Sequence, residues 1–251
     1  MAKVNSLFEI QGNLQGLNFY LRKGVATVRK AGGGFTANTL KNSPTMERVR
    51  ANGTEFGHCS SVNKILKQAM RDLLPQKKDL SLHSNLMHLL LQVKNLDTVS
   101  SHGKRRVEKG LQTEAGRKLF ISFPFNTSKL LEKFHGGEIH YQANAYSCTL
   151  QKLDLSPQTF PKGATHIGIQ MGIVVMDFSQ MKAQTFLSEE MLLNPQDQST
   201  TLCLQTKEPP MGEGMTIAVL RVAYYQKVAD TLHILHEERF FELQVLDVYG
   251  Y

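Results

Sequence analysis

The stretch Thr165-His-Ile-Gly-Ile-Gln-Met-Gly-Ile-Val-Val-Met-Asp-Phe178 decides the fold class. Ile167, Ile169, Met171, Ile173 and Val175 recur at every second residue. Side chains alternate across a strand, so these five share one face, and His166, Gly168, Gln170 and Gly172 share the other. The pattern predicts a half-buried strand. Similar runs flank it at Glu138–Gln142, Tyr146–Leu153, Ala183–Leu192, Thr201–Thr206, Thr216–Gln226, Leu232–His236 and Phe240–Val248. Turn chemistry stands between them, as in Phe160-Pro-Lys-Gly163, Asn194-Pro-Gln-Asp197 and Glu208-Pro-Pro-Met-Gly212. Up to eight strands without intervening helices predict an antiparallel β-sandwich or barrel.

Upstream the period changes. Val49, Asn52, Phe56, Cys59, Asn63, Leu66, Met70 and Leu73 step by three and four, which traces one helical face. Ser43-Pro44 suits its start, because Ser can cap and Pro lacks only an N–H that has no partner there. Pro75 ends it, and Asn52-Gly53 is a point where it could split. A second helix is expected from Asp79 to Val99, with Leu82, Leu86, Leu89, Leu90, Val93 and Leu96 inward. The short link Pro75–Lys78 favours an antiparallel helix pair. Shorter helices are expected at Thr113–Phe120 and Ser128–Phe134. Before Ala31, strands at Ser6–Ile10, Leu17–Leu21 and Val25–Val28 alternate with turns at Gly12–Gly16 and Arg22–Gly24. The fold expected is α+β: an N-terminal β-hairpin or meander plus helical hairpin over residues 1–125, then an antiparallel β-sandwich over 137–251.

Composition sets bounds. The chain has 251 residues, 41% of them apolar and 20% charged, which suits a globular protein. The longest apolar run, Ile167–Met176, is broken by Gln170 and Gly172 and falls short of the ~18 residues that a membrane helix needs. The N-terminus lacks the apolar core of a signal peptide. A cytoplasmic protein without membrane contact is expected. Cys59, Cys148 and Cys203 are odd in number and far apart, which reads as three reduced core thiols. Residues 1–110 hold 18 Lys and Arg against 7 Asp and Glu, while residues 111–251 hold 11 against 15. A basic half followed by a mildly acidic half suggests two regions that face different partners.

No catalytic motif stands out. Arg29-Lys-Ala-Gly-Gly-Gly-Phe-Thr36 lacks the Gly-Lys-Ser/Thr ending of a phosphate loop and the spacing of a dinucleotide fingerprint, so it reads as a flexible connection. His83 and His88 lie five apart, and His233 and His236 lie three apart on a strand; neither spacing makes a metal pair. No metal and no cofactor is expected. Cys59 adjoins His58 but sits on the apolar helical face, where an inert thiol belongs. Glu189 and Glu190 are strand neighbours that diverge, which suits a solvated edge. The basic residues are more informative. Arg50, Lys64 and Arg71 recur at one heptad position, Lys67 lies beside them, and Lys104, Arg105 and Arg106 follow the second helix. Converging, these seven would form an electropositive, phosphate-binding surface.

The run Gly12-x-x-x-Gly16-x-x-Phe19-Tyr20, then Val28-Arg29-Lys30-x-Gly32-Gly33, then Arg48-x-Arg50-x-Asn52-Gly53-x-Glu55-Phe56-Gly57 resembles a family of uncharacterised bacterial proteins of similar length. Phe160-Pro161-x-Gly163-Ala164-Thr165-His166 is similar to an element of the same family. The resemblance spans most of the chain. It implies a two-part division with a β-rich second half, and no activity, cofactor or catalytic residue.

The function expected is that of a non-enzymatic binding or assembly protein, with a protein partner or self-association. The alternative is nucleic-acid binding through the basic half. An enzyme with a site between the two parts is the third possibility.

Overall fold

The computed structural model describes residues 2–3, 10–32, 36–75, 81–126, 128–198 and 201–250. All but Ile10 of the expected strand at Ser6–Ile10, the end of the Gly-rich stretch and most of the link after Pro75 lie outside them. The chain forms two compact units, Met1–Arg50 and Ala51–Tyr251.

The first unit is a four-stranded antiparallel sheet, β1 (Ala2–Lys3), β2 (Gly12–Leu14), β3 (Leu17–Arg22) and β4 (Val25–Lys30), in the order β1-β4-β3-β2. Two tight loops set its register. Leu14 pairs with Leu17 and Arg22 with Val25, which leaves Gln15-Gly16 and Lys23-Gly24 as two-residue connections. All four loop residues have positive φ, between 46° and 77°. That backbone matches the right-handed twist of the flanking strands, and Gly at the second position adopts it without strain. Helix α1 (Ala37–Asn42) follows, capped by Thr36, whose hydroxyl accepts from Thr39 N. The sequence reading did not anticipate this helix.

Helix α2 (Glu47–Ala69) enters through a 3-10 turn at Pro44–Met46 and runs unbroken through Asn52-Gly53. It lies antiparallel to α3 (Leu82–Asn95). Glu55 meets Lys94, Cys59 Sγ donates to Leu90 O at 3.7 Å, and Asn63 Nδ2 donates to His83 O at 3.0 Å. Positions rise on one helix as they fall on the other, as the helical-hairpin expectation requires. Two short helices, α4 (Val107–Leu111) and α5 (Glu114–Ile121), follow. Thr113 caps α5 by accepting from Gly116 N at 3.0 Å. A Cβ on Gly110 would stand 1.9 Å from Val93 O, so only Gly lets α4 sit this close to α3.

After α6 (Leu131–Phe134) come two antiparallel sheets. The smaller joins β5 (Ile139–Gln142), β6 (Ser147–Gln151) and β10 (Thr201–Gln205) in the order β10-β6-β5. The larger has six strands around the long central pair β7 (His166–Asp177) and β11 (Met215–Val228). One edge of β7 is shared by β8 (Lys182–Leu187) and β9 (Met191–Leu193). One edge of β11 is shared by β12 (Thr231–Ile234) and β13 (Phe241–Tyr249). The single strand expected at Ala183–Leu192 is thus two. The chain breaks at Ser188, whose hydroxyl takes a hydrogen bond from Met171 N and donates to Glu189 O.

Both faces of the large sheet are covered. Val174, Met176, Ile217, Val219 and Leu243 join a core with α2, α3, α4 and α5. Ile167, Ile169, Met171, Ile173, Leu220 and Val222 join a second core with Cys148, Leu150, Leu202 and Leu204 of the small sheet. β7 is therefore buried on both faces, where a half-buried strand was expected, and Gly172 shows why. A Cβ there would meet Leu73 Cδ1 at 2.5 Å, so the turn after α2 rests directly on the strand. In β13 one extra residue, Leu246, flips the side-chain parity and keeps Phe241, Leu243, Val245 and Val248 on the helical side. The α+β class is as expected. The C-terminal part is a curled antiparallel sheet system with a helical layer on one face, and helices and sheet share a core across the boundary expected between residues 125 and 137.

Candidate functional site

The face expected inward on α2 is rotated in its first half. Cys59, Asn63, Leu66, Met70 and Leu73 are buried, but Phe56 is 54% exposed, and Glu55 takes its place inside at 1%. A carboxylate that deep needs compensation. Arg105 supplies it with two parallel bonds, Nε to Oε1 and Nη2 to Oε2, both at 2.8 Å. Lys94 Nζ bonds Oε2, and Gly103 N donates to Oε1 at 2.7 Å. The Arg105 guanidinium holds the Glu55 carboxyl far below the usual carboxylate range, against the opposing pull of burial, and Lys94 and Gly103 N–H add to it. Gly103 has φ of +92°, and a Cβ there would stand 2.9 Å from Ala51 Cβ. Glycine is thus required for the backbone to reach the carboxylate.

Asp97 shapes the loop that brings Arg105 in. Its Oδ1 accepts from Val99 N at 3.1 Å and Ser100 N at 2.9 Å, and its Oδ2 accepts from Arg106 N at 3.0 Å. Beside this loop is an open cleft of about 410 Å³, lined by Thr54, Gly57, His58, Ser61, Arg106, Glu108, Phe178 and Met181. His58 Nε2 accepts from Val107 N at 3.2 Å. That nitrogen must be unprotonated, so the neutral ring carries its hydrogen on Nδ1. Burial, and then the Arg106 charge, hold His58 below its ordinary pKa. Burial pushes the neighbouring Cys59 thiol up to about 11, and the thiol donates to Leu90 O. A Cys59–His58 nucleophilic pair is therefore not assembled.

The seven basic residues have different surroundings. Arg50 Nη1 donates to Leu40 O and Ser43 O, both at 2.9 Å, within the first unit. Arg105 is committed to Glu55, and Arg106 lines the cleft while Lys104 beside it is exposed. Lys64 and Arg71 are exposed, and Lys67 Nζ lies 3.1 Å from His83 Nδ1. His58 and Lys67 are nine residues apart, about 13 Å along the helix axis. Lys64, Lys67 and Arg71 thus follow one another at steps of three and four, and Lys104 and Arg106 lie on the loop that brings Arg105 to Glu55. Cys148 is buried as expected, but Cys203 is exposed, because it points away from the core on β10 opposite Thr149. Among the described residues, no group of three or more His, Cys, Asp or Glu could hold a metal ion, and no helix is long and apolar enough to cross a membrane.

The first unit presents a second surface. Residues paired across strands share a face. Leu14, Leu17, Phe19, Leu21, Ala26 and Val28 stand together on one, with Lys30 opposite Leu17. Asn18, Tyr20, Arg22, Thr27 and Arg29 stand on the other, with the Arg29 guanidinium 5.5 Å from the Tyr20 ring centre. On the apolar face Leu14, Leu17 and Leu21 are 56%, 41% and 45% exposed, while Phe19, Ala26 and Val28 are half-buried. Among the described residues of this unit, Thr27 alone is buried.

Neither a protein-family model, nor a curated protein, nor a solved structure matches the chain.

Proposed function

We propose that the chain is a non-enzymatic binding or assembly protein whose N-terminal sheet docks, apolar face inward, on another protein. The exposed ladder Leu14, Leu17 and Leu21 carries this reading. Contiguous apolar surface on a folded sheet marks an interaction site, because leaving it in water forfeits burial energy. Charge chooses the partner. Residues 1–50 hold eight Lys and Arg against two Glu. Two such units would repel each other face to face, so the fitting surface is an apolar patch with an acidic rim on a different protein.

The triple variant Leu14→Ser, Leu17→Ser, Leu21→Ser is expected to lose partners that the wild-type chain recovers from its own cells, and raised salt is expected to weaken their capture. Sedimentation velocity supplies the control for self-association. Recovery of the same proteins by both forms, or a wild-type chain that simply dimerises through this face, would overturn the reading.

Nucleic-acid binding is the second reading, favoured by the group Lys64, Lys67 and Arg71 on one side of α2. It predicts affinity that falls with salt, with a slope reduced by about 0.9 for each phosphate contact removed. Reversing all three to Glu and repeating a fluorescence-anisotropy salt titration on labelled DNA and RNA checks it. An unchanged slope rejects this reading and leaves the sheet as the binding surface.

A further inference from the structure

We infer that the cleft between α6, the segment 154–161 and the 3-10 turn Glu238–Phe240 binds a nucleoside monophosphate, a planar base joined to one phosphate. Its volume of about 380 Å³ lies in the range of small-molecule pockets. The Phe160–His166 element singled out in the sequence opens at its wall, where Phe160 and Pro161 line it.

Three aromatic rings build the apolar side. Tyr224 is the anchor, 1% exposed, with its hydroxyl donating to Thr159 O at 2.6 Å. Phe160 and Phe240 meet it edge-on, at centroid distances of 5.7 and 6.4 Å. Phe160 is half-buried, so part of its ring remains available for stacking. The Arg239 guanidinium lies 4.6 Å from the Phe240 ring centre. A guanidinium over a ring can serve as a platform for a planar base, and its N–H groups beyond the Nε that pairs with Glu237 Oε2 at 2.7 Å can donate to phosphate.

The polar side matches the rest of such a ligand. Lys133 and Arg239 are the cations of the lining, and Lys133 is exposed on α6, where a phosphate can reach it. Asp154 and Gln158 line the same cleft. Asp154 accepts from Ser156 N at 2.9 Å, and that bond and the Ser156 hydroxyl hold its carboxyl below the ordinary range. An ionised carboxylate only accepts, so exposed Asp154 offers an acceptor for a donor such as the exocyclic amine of a base. A bare phosphate would gain the cations but face the carboxylate without a donor. A nucleoside monophosphate satisfies both.

Isothermal titration of the full chain with adenosine 5′-monophosphate, adenosine and inorganic phosphate tests this. The monophosphate is expected to bind with a dissociation constant between micromolar and millimolar, and each fragment at least about tenfold more weakly. Lys133→Glu, Arg239→Gln and Phe160→Ala are each expected to weaken it about tenfold or more. Lys133 and Arg239 are surface residues, so those two variants keep the test valid if Phe160→Ala fails to fold. No binding of any probe at millimolar concentration, phosphate binding as well as the nucleotide, or indifference to Lys133→Glu and Arg239→Gln would each overturn the assignment. No residue of the N-terminal sheet lines the cleft, so Leu14→Ser, Leu17→Ser, Leu21→Ser is expected to leave nucleotide binding unchanged.

Discussion

Glu55→Gln is expected to cost about 3–5 kcal/mol of unfolding free energy in urea, the range for removing one partner of a buried ion pair. The amide keeps the shape but not the charge. Lys94, 6% exposed, is then left in the core without its counter-ion, and Arg105 loses its two parallel bonds. The pH dependence follows from the direction of the shift. Glu55 titrates lower when folded than when unfolded, so its contribution is complete above the unfolded carboxylate range. It is lost as pH falls from that range toward the folded pKa. His58 acts in the same sense by the opposite route. Its depressed folded pKa means the unfolded chain takes up the proton first, so stability declines once pH drops below its ordinary value near 6.5. The wild-type chain should therefore lose stability in two stages on acidification, and Glu55→Gln should show a weaker second stage. The triple variant Glu55→Met, Lys94→Met, Arg105→Met is expected to recover most of the loss, because replacing all three members together leaves no stranded charge. If Glu55→Gln unfolds with the wild-type midpoint at pH 7, the hub carries no net stabilisation.

Much of the fold was legible from period alone. The long strand 165–178, the helical hairpin and the Thr113 cap each rest on local signals: alternation, a three-four step, and a hydroxyl ahead of a helix. What was hidden depends on partners far along the chain. Glu55 has no visible role in the sequence because its three compensating donors lie at positions 94, 103 and 105. Its spacing of four residues before Cys59 did place it on the buried stripe, and that spacing was the available clue. Arg105 read as part of a phosphate-binding patch for the same reason in reverse: a lone cation in sequence looks free until its carboxylate is found. The helical cover on β7 was hidden too. Gly168 and Gly172 left that face looking bare, whereas small residues there are what let Glu190, Tyr225 and Leu73 approach. The nucleotide cleft joins four stretches between residues 130 and 240, none of which reads as a site by itself.

The same logic predicts an asymmetry at the other buried charge. Alternation along β11 places Arg221 on the helical side of the large sheet with Ile217, Val219 and Ala223. Its Nη1 donates to Glu190 Oε1 at 2.6 Å and its Nη2 to Tyr225 OH at 3.0 Å, while Tyr225 OH donates to the same carboxylate oxygen at 2.6 Å. Burial pushes the Tyr225 hydroxyl up, and donation to Glu190 pushes it further, so it stays a donor. The guanidinium is enclosed, and its Nε has no partner among the described residues. Glu190 is different, with 29% of its side chain in water. Glu190→Ala strands an enclosed cation and is expected to cost about 3–5 kcal/mol. Arg221→Met removes the cation together with its unpaired Nε, fills similar space beside Phe241, and leaves Glu190 free to hydrate. Its cost is expected to stay below about 1.5 kcal/mol, as for well-fitting apolar replacements. Urea unfolding of both variants at neutral pH measures the difference. Equal losses would mean that water reaches Arg221 when its partner is removed, and that the sheet face at Gly168 opens more readily than its close packing implies.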